Sequence, residues 1–175
     1  MEKGMIQVYC GNGKGKTTAA IGLVIRAVGR GKKVIFAQFL KGTKTGELEV
    51  LKQLSNVTVI RNPKELGFLS RMNDLEKREV TEFHNQTLEK IQKILLEEMI
   101  DLLVLDELTY PYIWNLIDKE KVEALILQKP EKLEIVITGR EPDSFFLEHA
   151  DYITDMQCIR HPYQKGIKAR EGIEY

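Results

Sequence analysis

The sequence predicts a single α/β domain with a mostly parallel central sheet of about six strands flanked by helices. Short apolar runs typical of buried strands alternate along the chain with longer segments of helical periodicity. Strands and helices that alternate in this way form parallel sheets covered by helices. With 175 residues, 43% of them apolar, residues 1–175 are expected to form one domain around one core. The strand candidates are residues 6–9, 34–39, 57–60, 102–105, 135–138 and 152–154.

Five segments between the strand candidates have the features of helices. Residues 19–28 are apolar nearly all round, which predicts a buried helix, and residues 46–54 form a short helix candidate. The longest periodic segment covers residues 74–99, with polar residues opposite an apolar stripe. Asp118 and Asp143 are in place to cap two further helices. The stripe of the long helix consists of Val80, Phe83, Thr87, Ile91 and Ile94.

Composition limits the classes of function. Lys and Arg together number 26, as do Asp and Glu, so the chain lacks the excess of positive charge that non-specific binding to nucleic acid or a membrane surface requires. No apolar run approaches the roughly 20 residues of a membrane span, and no signal peptide is evident. Cys10 and Cys158 lack metal-ligand spacing. We therefore expect a cytoplasmic protein that binds neither nucleic acid nor membrane.

A glycine-rich segment directly after the first strand candidate predicts a phosphate-binding loop. Backbone N–H groups of such a loop, together with the N-terminus of the following helix, converge on one point and favour an anion. A lysine then supplies a cation to the phosphates, and a hydroxyl can ligate Mg²⁺. Cys10 stands where the common motif has its first glycine, so the loop is expected to differ in shape. The nucleotide-binding candidates are Gly11, Asn12, Gly13, Lys14, Gly15, Lys16, Thr17 and Thr18.

Two acids at the end of a buried strand predict the metal side of the same site. Asp106 and Glu107 follow the unbroken apolar run of residues 102–105, as a carboxylate that holds or orients Mg²⁺ would. One of them, together with Thr17, is expected to reach the metal. An acid at the end of a buried strand is weak evidence alone, and gains weight from the glycine loop.

Two arginines are further candidates. Arg140 follows the strand candidate that ends at Thr138 and could contact the phosphates from a neighbouring loop, although a solvated arginine is the alternative. Arg26 interrupts an apolar helix, where a guanidinium needs an ionic partner in the protein or a ligand. Residues 62–73 and 160–175 show neither helical nor strand periodicity. Long irregular segments of this kind often carry function.

These motifs together closely resemble the P-loop type of ATP:corrinoid adenosyltransferases. The resemblance covers nearly the whole chain, and the loop that lacks the usual first glycine is one of its marks. The matching segments are residues 11–17, 38–42, 67–68, 104–110, 137–140 and 166–175.

The resemblance implies a homodimeric, RecA-like P-loop fold in which Co(I) of a reduced corrinoid attacks C5′ of ATP and inorganic triphosphate leaves. It also implies an electron donor that reduces Co(II) to Co(I). Lys16 and Arg140 would act on the triphosphate, Arg26 would lie near the nucleotide, and Thr17 with Glu107 would hold Mg²⁺. Phe68 would displace the lower axial ligand of cobalt. We expect residues 160–175 to close the site in place of an N-terminal helix that some members carry.

Two other classes remain open from the sequence. A small P-loop ATPase or kinase would place the γ-phosphate beside water or an acceptor and release ADP. A regulatory module would bind ATP and convert nothing. The released product discriminates between all three.

Overall fold

The structure, a computed structural model, describes residues 3–40, 45–62 and 72–174. Its centre is a six-stranded sheet in which every pair of neighbouring strands is parallel. The order across the sheet is β3-β2-β4-β5-β1-β6, so the chain crosses over between non-adjacent positions. The strands are β1 (Ile6–Cys10), β2 (Val34–Gln38), β3 (Val57–Arg61), β4 (Leu102–Asp106), β5 (Glu134–Thr138) and β6 (Tyr152–Asp155).

Helices connect the strands, and two of them begin at the expected caps. Asp118 and Asp143 each accept a hydrogen bond from a backbone N–H of the first turn, which confirms both predicted caps. A capping box of Asn73 and Glu76 begins the longest helix. The helices are α1 (Lys16–Val28), α2 (Gly46–Leu51), α3 (Asp74–Glu97), α4 (Thr109–Ile113), α5 (Lys119–Leu127) and α6 (Ser144–His149), followed by a 3₁₀ turn (Pro162–Lys165).

The two faces of the sheet carry separate apolar cores. Side chains alternate between the faces with a period of two. One face packs against α1 and α2, through residues such as Val24 and Leu48, and includes Phe36 and Val104. The opposite face packs against α3, α5 and α6 and includes Leu105. Both faces are therefore buried, which explains why the strands read as continuous apolar runs.

Three local predictions were inaccurate. Helix α1 is not buried all round, because only one side of it meets the sheet and Ile25 is 47% exposed. On α3 the fully buried stripe includes His84, whereas Phe83 is only partly covered. The short helix α4 has no apolar period of its own and was not predicted. No helix in the described part of the chain is long and apolar enough to cross a membrane.

Candidate active site

The glycine loop joins β1 to α1 and depends on glycine at three positions. Gly11 and Gly15 have φ of 91° and 116°, in the region that side chains disfavour. Gly15 occupies the cap position of α1 without a side-chain cap, so the first N–H groups of the helix remain available to a ligand. A Cβ on Gly13 would lie 2.6 Å from the carbonyl oxygen of Met156. Close backbone packing therefore fixes the shape of this loop.

Backbone hydrogen bonds hold the loop to its neighbours at the same edge of the sheet. Gly11 N donates to the carbonyl of Arg140 at 2.9 Å, and Gly13 N donates to that of Met156 at 2.5 Å. Cys10, which replaces the usual first glycine, is the last residue of β1, and its side chain is buried. The loop thus begins only after the strand has ended.

Two cations face the same space as the loop. Lys16 Nζ donates to the carbonyl oxygens of Gly11 and Gly13, at 2.6 and 2.8 Å. Burial, and after it the nearby Arg140 guanidinium, lower the pKa of Lys16 below its ordinary value. The two positive charges repel each other, and an anion bound between them would be attracted by both.

Three adjacent strands end in a row of buried polar side chains. Gln38, Asp106 and Thr138 are the last residues of β2, β4 and β5, and each is at most 1% exposed. Asp106 Oδ2 accepts from Gln38 Nε2 at 2.9 Å, and its Oδ1 accepts from the Thr138 hydroxyl at 2.7 Å. The Thr17 hydroxyl, on α1, donates the third hydrogen bond to this carboxylate, at 2.8 Å from Oδ1. Because side chains alternate between the two faces of a strand, this row lies on the face of the sheet that packs against α1.

The donor set around Asp106 fits a magnesium ion. Thr17 donates its only hydroxyl proton to Asp106, so its oxygen lone pairs remain free to ligate a cation. Glu107 also lines the cavity. The buried Oε1 atom of Gln38 has no hydrogen-bond partner in the described structure and could accept from a metal-bound water. Within the described ranges, no three His, Cys, Asp or Glu side chains cluster as a metal site, so ligand oxygens and waters would have to complete the shell.

A cavity of about 530 Å³ lies over the glycine loop, and the C-terminal tail forms its outer wall. Glu174 Oε1 lies 3.3 Å from Lys14 Nζ and also pairs with Arg170. Hydrogen bonds from Arg170, and to a lesser extent the one from Lys14, hold the pKa of the Glu174 carboxyl at about 2. The cavity is lined by residues 12–18, Ile21, Gly46, Glu47, Glu107, Tyr110, Arg140, His161 and residues 172–174.

The structure brings together most, but not all, of the predicted site residues. The loop, Arg140 and Glu107 line one cavity, and Asp106 lies directly behind it. Arg26 instead lines a second cavity with Gly4 and Glu134, where strands begin. Ten residues of helix separate Arg26 from Lys16, which is roughly 15 Å. Within one chain it therefore lies away from the loop, and Phe68 lies outside the described residues.

Sequence reasoning predicted that residues 160–175 close the site, but it did not identify two of the buried partners of Asp106 or the tail residues that line the cavity. Gln38 and Thr138 are visible in the sequence as polar residues at the ends of apolar runs, but the strand order that brings them to Asp106 is not. Nothing in a 3₁₀ turn and irregular tail indicates that His161, Ile173 and Glu174 are the residues that reach the cavity.

Comparison with known proteins gives one consistent result. The model of the family described as ATP:corrinoid adenosyltransferase BtuR/CobO/CobP matches residues 2–175. The chain is 36% identical to the corrinoid adenosyltransferase of Escherichia coli (strain K12) and 35% identical to corrinoid adenosyltransferase CobA of Salmonella typhimurium. Each alignment covers 99% of this chain and 87% of the relative.

Solved structures support the fold. The cytoplasmic domain of EssC superposes with a TM-score of 0.56 at 15% identity, covering 95% of this chain and 34% of that one. The chain thus spans about a third of that protein, and the likeness concerns the α/β architecture alone. Because the family model and relatives above 30% identity both extend over nearly its whole length, the chain belongs to the ATP:corrinoid adenosyltransferase family.

Proposed function

We propose that the protein transfers the 5′-deoxyadenosyl group of ATP to the Co(I) of a reduced corrinoid. The cobalt electron pair forms the Co–C5′ bond, the C5′–O bond breaks, and inorganic triphosphate leaves with that bond's electron pair. The observation that carries the proposal is a cavity over the glycine loop that Lys16 and Arg140 line and the Asp106 network backs, in a chain of this family. Cobalt is the nucleophile, so the protein's task is to bind, orient and stabilise the leaving group.

The triphosphate would lie over the glycine loop. Backbone N–H groups of residues 14–18, at the uncapped start of α1, would bind its oxygens, and Lys16 and Arg140 would add positive charge. As the C5′–O bond breaks, negative charge grows on the α-phosphate side, and a fixed cation there lowers the barrier. Lys16 would exchange its bonds to the Gly11 and Gly13 carbonyls for phosphate oxygens.

Thr17, Asp106 and Glu107 would hold Mg²⁺, through the Thr17 hydroxyl and either carboxylate, directly or through water. When bound, the ion would neutralise phosphate charge and so improve triphosphate as a leaving group. Asp106 holds Thr17 in place and remains a hydrogen-bond acceptor on both carboxylate oxygens.

Other parts of the proposal rest on the family. We expect a cytoplasmic homodimer, an electron donor that supplies Co(I), and a role for Phe68 in removing the lower axial ligand of cobalt. The C-terminal tail, whose residues 172–174 line the cavity, would close the site over ATP.

The test is incubation of the protein with ATP, Mg²⁺ and chemically reduced cob(I)alamin. We expect the absorbance change of adenosylcobalamin formation and one triphosphate per corrinoid converted. Release of ADP would instead indicate an ATPase or kinase, and binding without product would indicate a regulatory module.

A further inference from the structure

Thr138 connects the two acids of the candidate metal site through a single hydroxyl group. Its Oγ1 lies 2.7 Å from Asp106 Oδ1 and 2.9 Å from the backbone nitrogen of Glu107. We propose that Thr138 is a positioning residue for metal binding, which fixes the Asp106 carboxylate and the Glu107 backbone relative to each other. The inference rests on the proposed Mg²⁺ site and adds a residue that contacts neither metal nor substrate.

The direction of each hydrogen bond follows from proton counting. The Glu107 N–H can only donate, so the Thr138 oxygen accepts from it. The single hydroxyl proton of Thr138 must then go to Asp106. Thr17 and Gln38 also donate to this side chain, so three donors meet one carboxylate. The Thr17 hydroxyl directs its one proton at Asp106. The lone pairs of its oxygen therefore point elsewhere and remain available to a cation.

The backbone of Glu107 explains why its N–H needs a fixed acceptor. Glu107 has φ of 62°, in the left-handed region that residues other than glycine rarely adopt. Such a conformation persists only where surrounding contacts determine it. The bond from Glu107 N to Thr138 is one of these contacts, and it sets the direction in which the chain leaves β4. Losing it would remove one of the contacts that fix how the Glu107 backbone presents its side chain to the cavity.

Two residues that resemble threonine in shape separate the role of its hydroxyl from that of its methyl group. Valine has the same shape and lacks both hydrogen bonds, whereas serine keeps both and lacks only the methyl group. Thr138 is 1% exposed, so water has little access to replace the hydroxyl. Thr87 offers a matched control, because it is 2% exposed on α3 and, among the residues that the structure describes, its hydroxyl bonds to the Phe83 carbonyl of its own helix.

The experiment measures Mn²⁺ binding by electron paramagnetic resonance in the presence of ATP, and ATP binding separately in EDTA. For Thr138→Val we expect Mn²⁺ affinity to fall about tenfold or more, as for other residues that orient metal ligands. ATP affinity in EDTA should change less than about twofold, because the glycine loop is untouched. Thr138→Ser should restore most of the Mn²⁺ affinity, and Thr87→Val should leave it unchanged.

Two results would overturn the inference: Mn²⁺ affinity of Thr138→Val within twofold of the wild type, or Thr138→Ser as weak as Thr138→Val. If the valine variant does not fold, Thr138→Ala with the same two measurements replaces it. Wild-type protein that binds Mn²⁺ with ATP and forms no adenosylated corrinoid would contradict the proposed function while leaving this inference intact.

Discussion

The ammonium of Lys16 lies 2.8 Å from the carbonyl oxygen of Gly13, folded back onto the loop that precedes it. A second bond of 2.6 Å to the Gly11 carbonyl completes the arrangement. The lysine therefore bridges its own loop, and its two neutral carbonyl partners can be exchanged for charged phosphate oxygens, which bind an ammonium more strongly. This relationship explains how the loop keeps its shape before a ligand binds.

Lys16→Ala should abolish adenosylation while the protein remains folded. The side chain contributes charge to the cavity and only two hydrogen bonds to the loop, so a loss of roughly 100-fold or more in kcat/KM is expected from a missing transition-state cation. Triphosphate release measures the activity, and circular dichroism checks the fold. Lys33→Ala, directly before β2 and so at the opposite edge of the sheet from the loop, serves as the control. Activity of Lys16→Ala near wild type would remove Lys16 from its assigned role.

Glu174→Gln should strengthen the binding of inorganic tripolyphosphate. The Glu174 carboxylate pairs with Lys14 in the wall of the phosphate cavity, so it neutralises a loop cation and repels an incoming anion. We expect about a threefold lower Kd by calorimetry, which is the effect typical of an exposed ion pair. Glu171→Gln, in the same tail, is the matched control. Equal affinity in the wild type and Glu174→Gln would show that the pair does not compete with phosphate.

Phe68→Ala should impair the reaction more when cob(II)alamin and a reductant are supplied than when cob(I)alamin is prepared beforehand. The reason is the proposed role of Phe68 in removing the lower axial ligand, which matters before Co(I) exists. Initial rates under the two conditions provide the comparison. Equal losses would exclude a role in reduction.

His84 should make stability depend on pH. Its two ring nitrogens lie 2.7 and 3.0 Å from the carbonyl oxygens of Leu116 and Phe39, and the side chain is fully buried. Burial lowers the pKa of His84, and the two carbonyl contacts oppose that shift without reversing it. A histidine whose pKa is lower in the folded state takes up its proton more readily when unfolded. The stabilisation is therefore complete above about pH 6.5 and is lost as the pH falls through the lower, folded-state pKa.

Urea unfolding at pH 7.5 and 5.5 measures this dependence. We expect the free energy of unfolding of the wild type to fall between the two values, and His84→Gln to show a smaller fall. His84→Gln should also cost about 1–3 kcal/mol at pH 7.5, because it disturbs hydrogen bonds to buried carbonyls. His161→Gln, in the exposed tail region, is the control. The same pH dependence in the wild type and His84→Gln would assign the effect to other groups.

Much of the fold followed from local patterns. The apolar runs predicted all six strands to within two residues at either end, because a parallel sheet buried on both faces requires continuous apolar strands. The caps at Asp118 and Asp143 were predicted because capping depends on a side chain and the first turn beside it. Helix α4 was missed, since five residues are too few to show a period.

The parts of the candidate site that consist of consecutive residues, or that lie at the ends of strands, were predictable from the sequence. Residues 11–17 had to approach one another because they are consecutive, and Asp106 had to lie near them because both follow the carboxyl ends of parallel strands. Arg26 shows the limit of this reasoning. The sequence shows that Arg26 is a charged residue in an apolar helix. Whether it lies at the end of the sheet that carries the glycine loop or at the opposite end depends on how far α1 extends.

The sequence by itself determined the phosphate loop, the buried acid that ends β4 and the family, because consecutive residues and the periods of helix and strand carry that information. Only the tertiary structure decided that Gln38, Asp106 and Thr138 form one hydrogen-bonded row, and that Glu174 reaches Lys14 across 160 positions. Those contacts depend on strand order and on the path of an irregular tail, which no local spacing specifies. The physical reason is that a sheet aligns residues far apart in the chain, and only the folded register shows which of them meet.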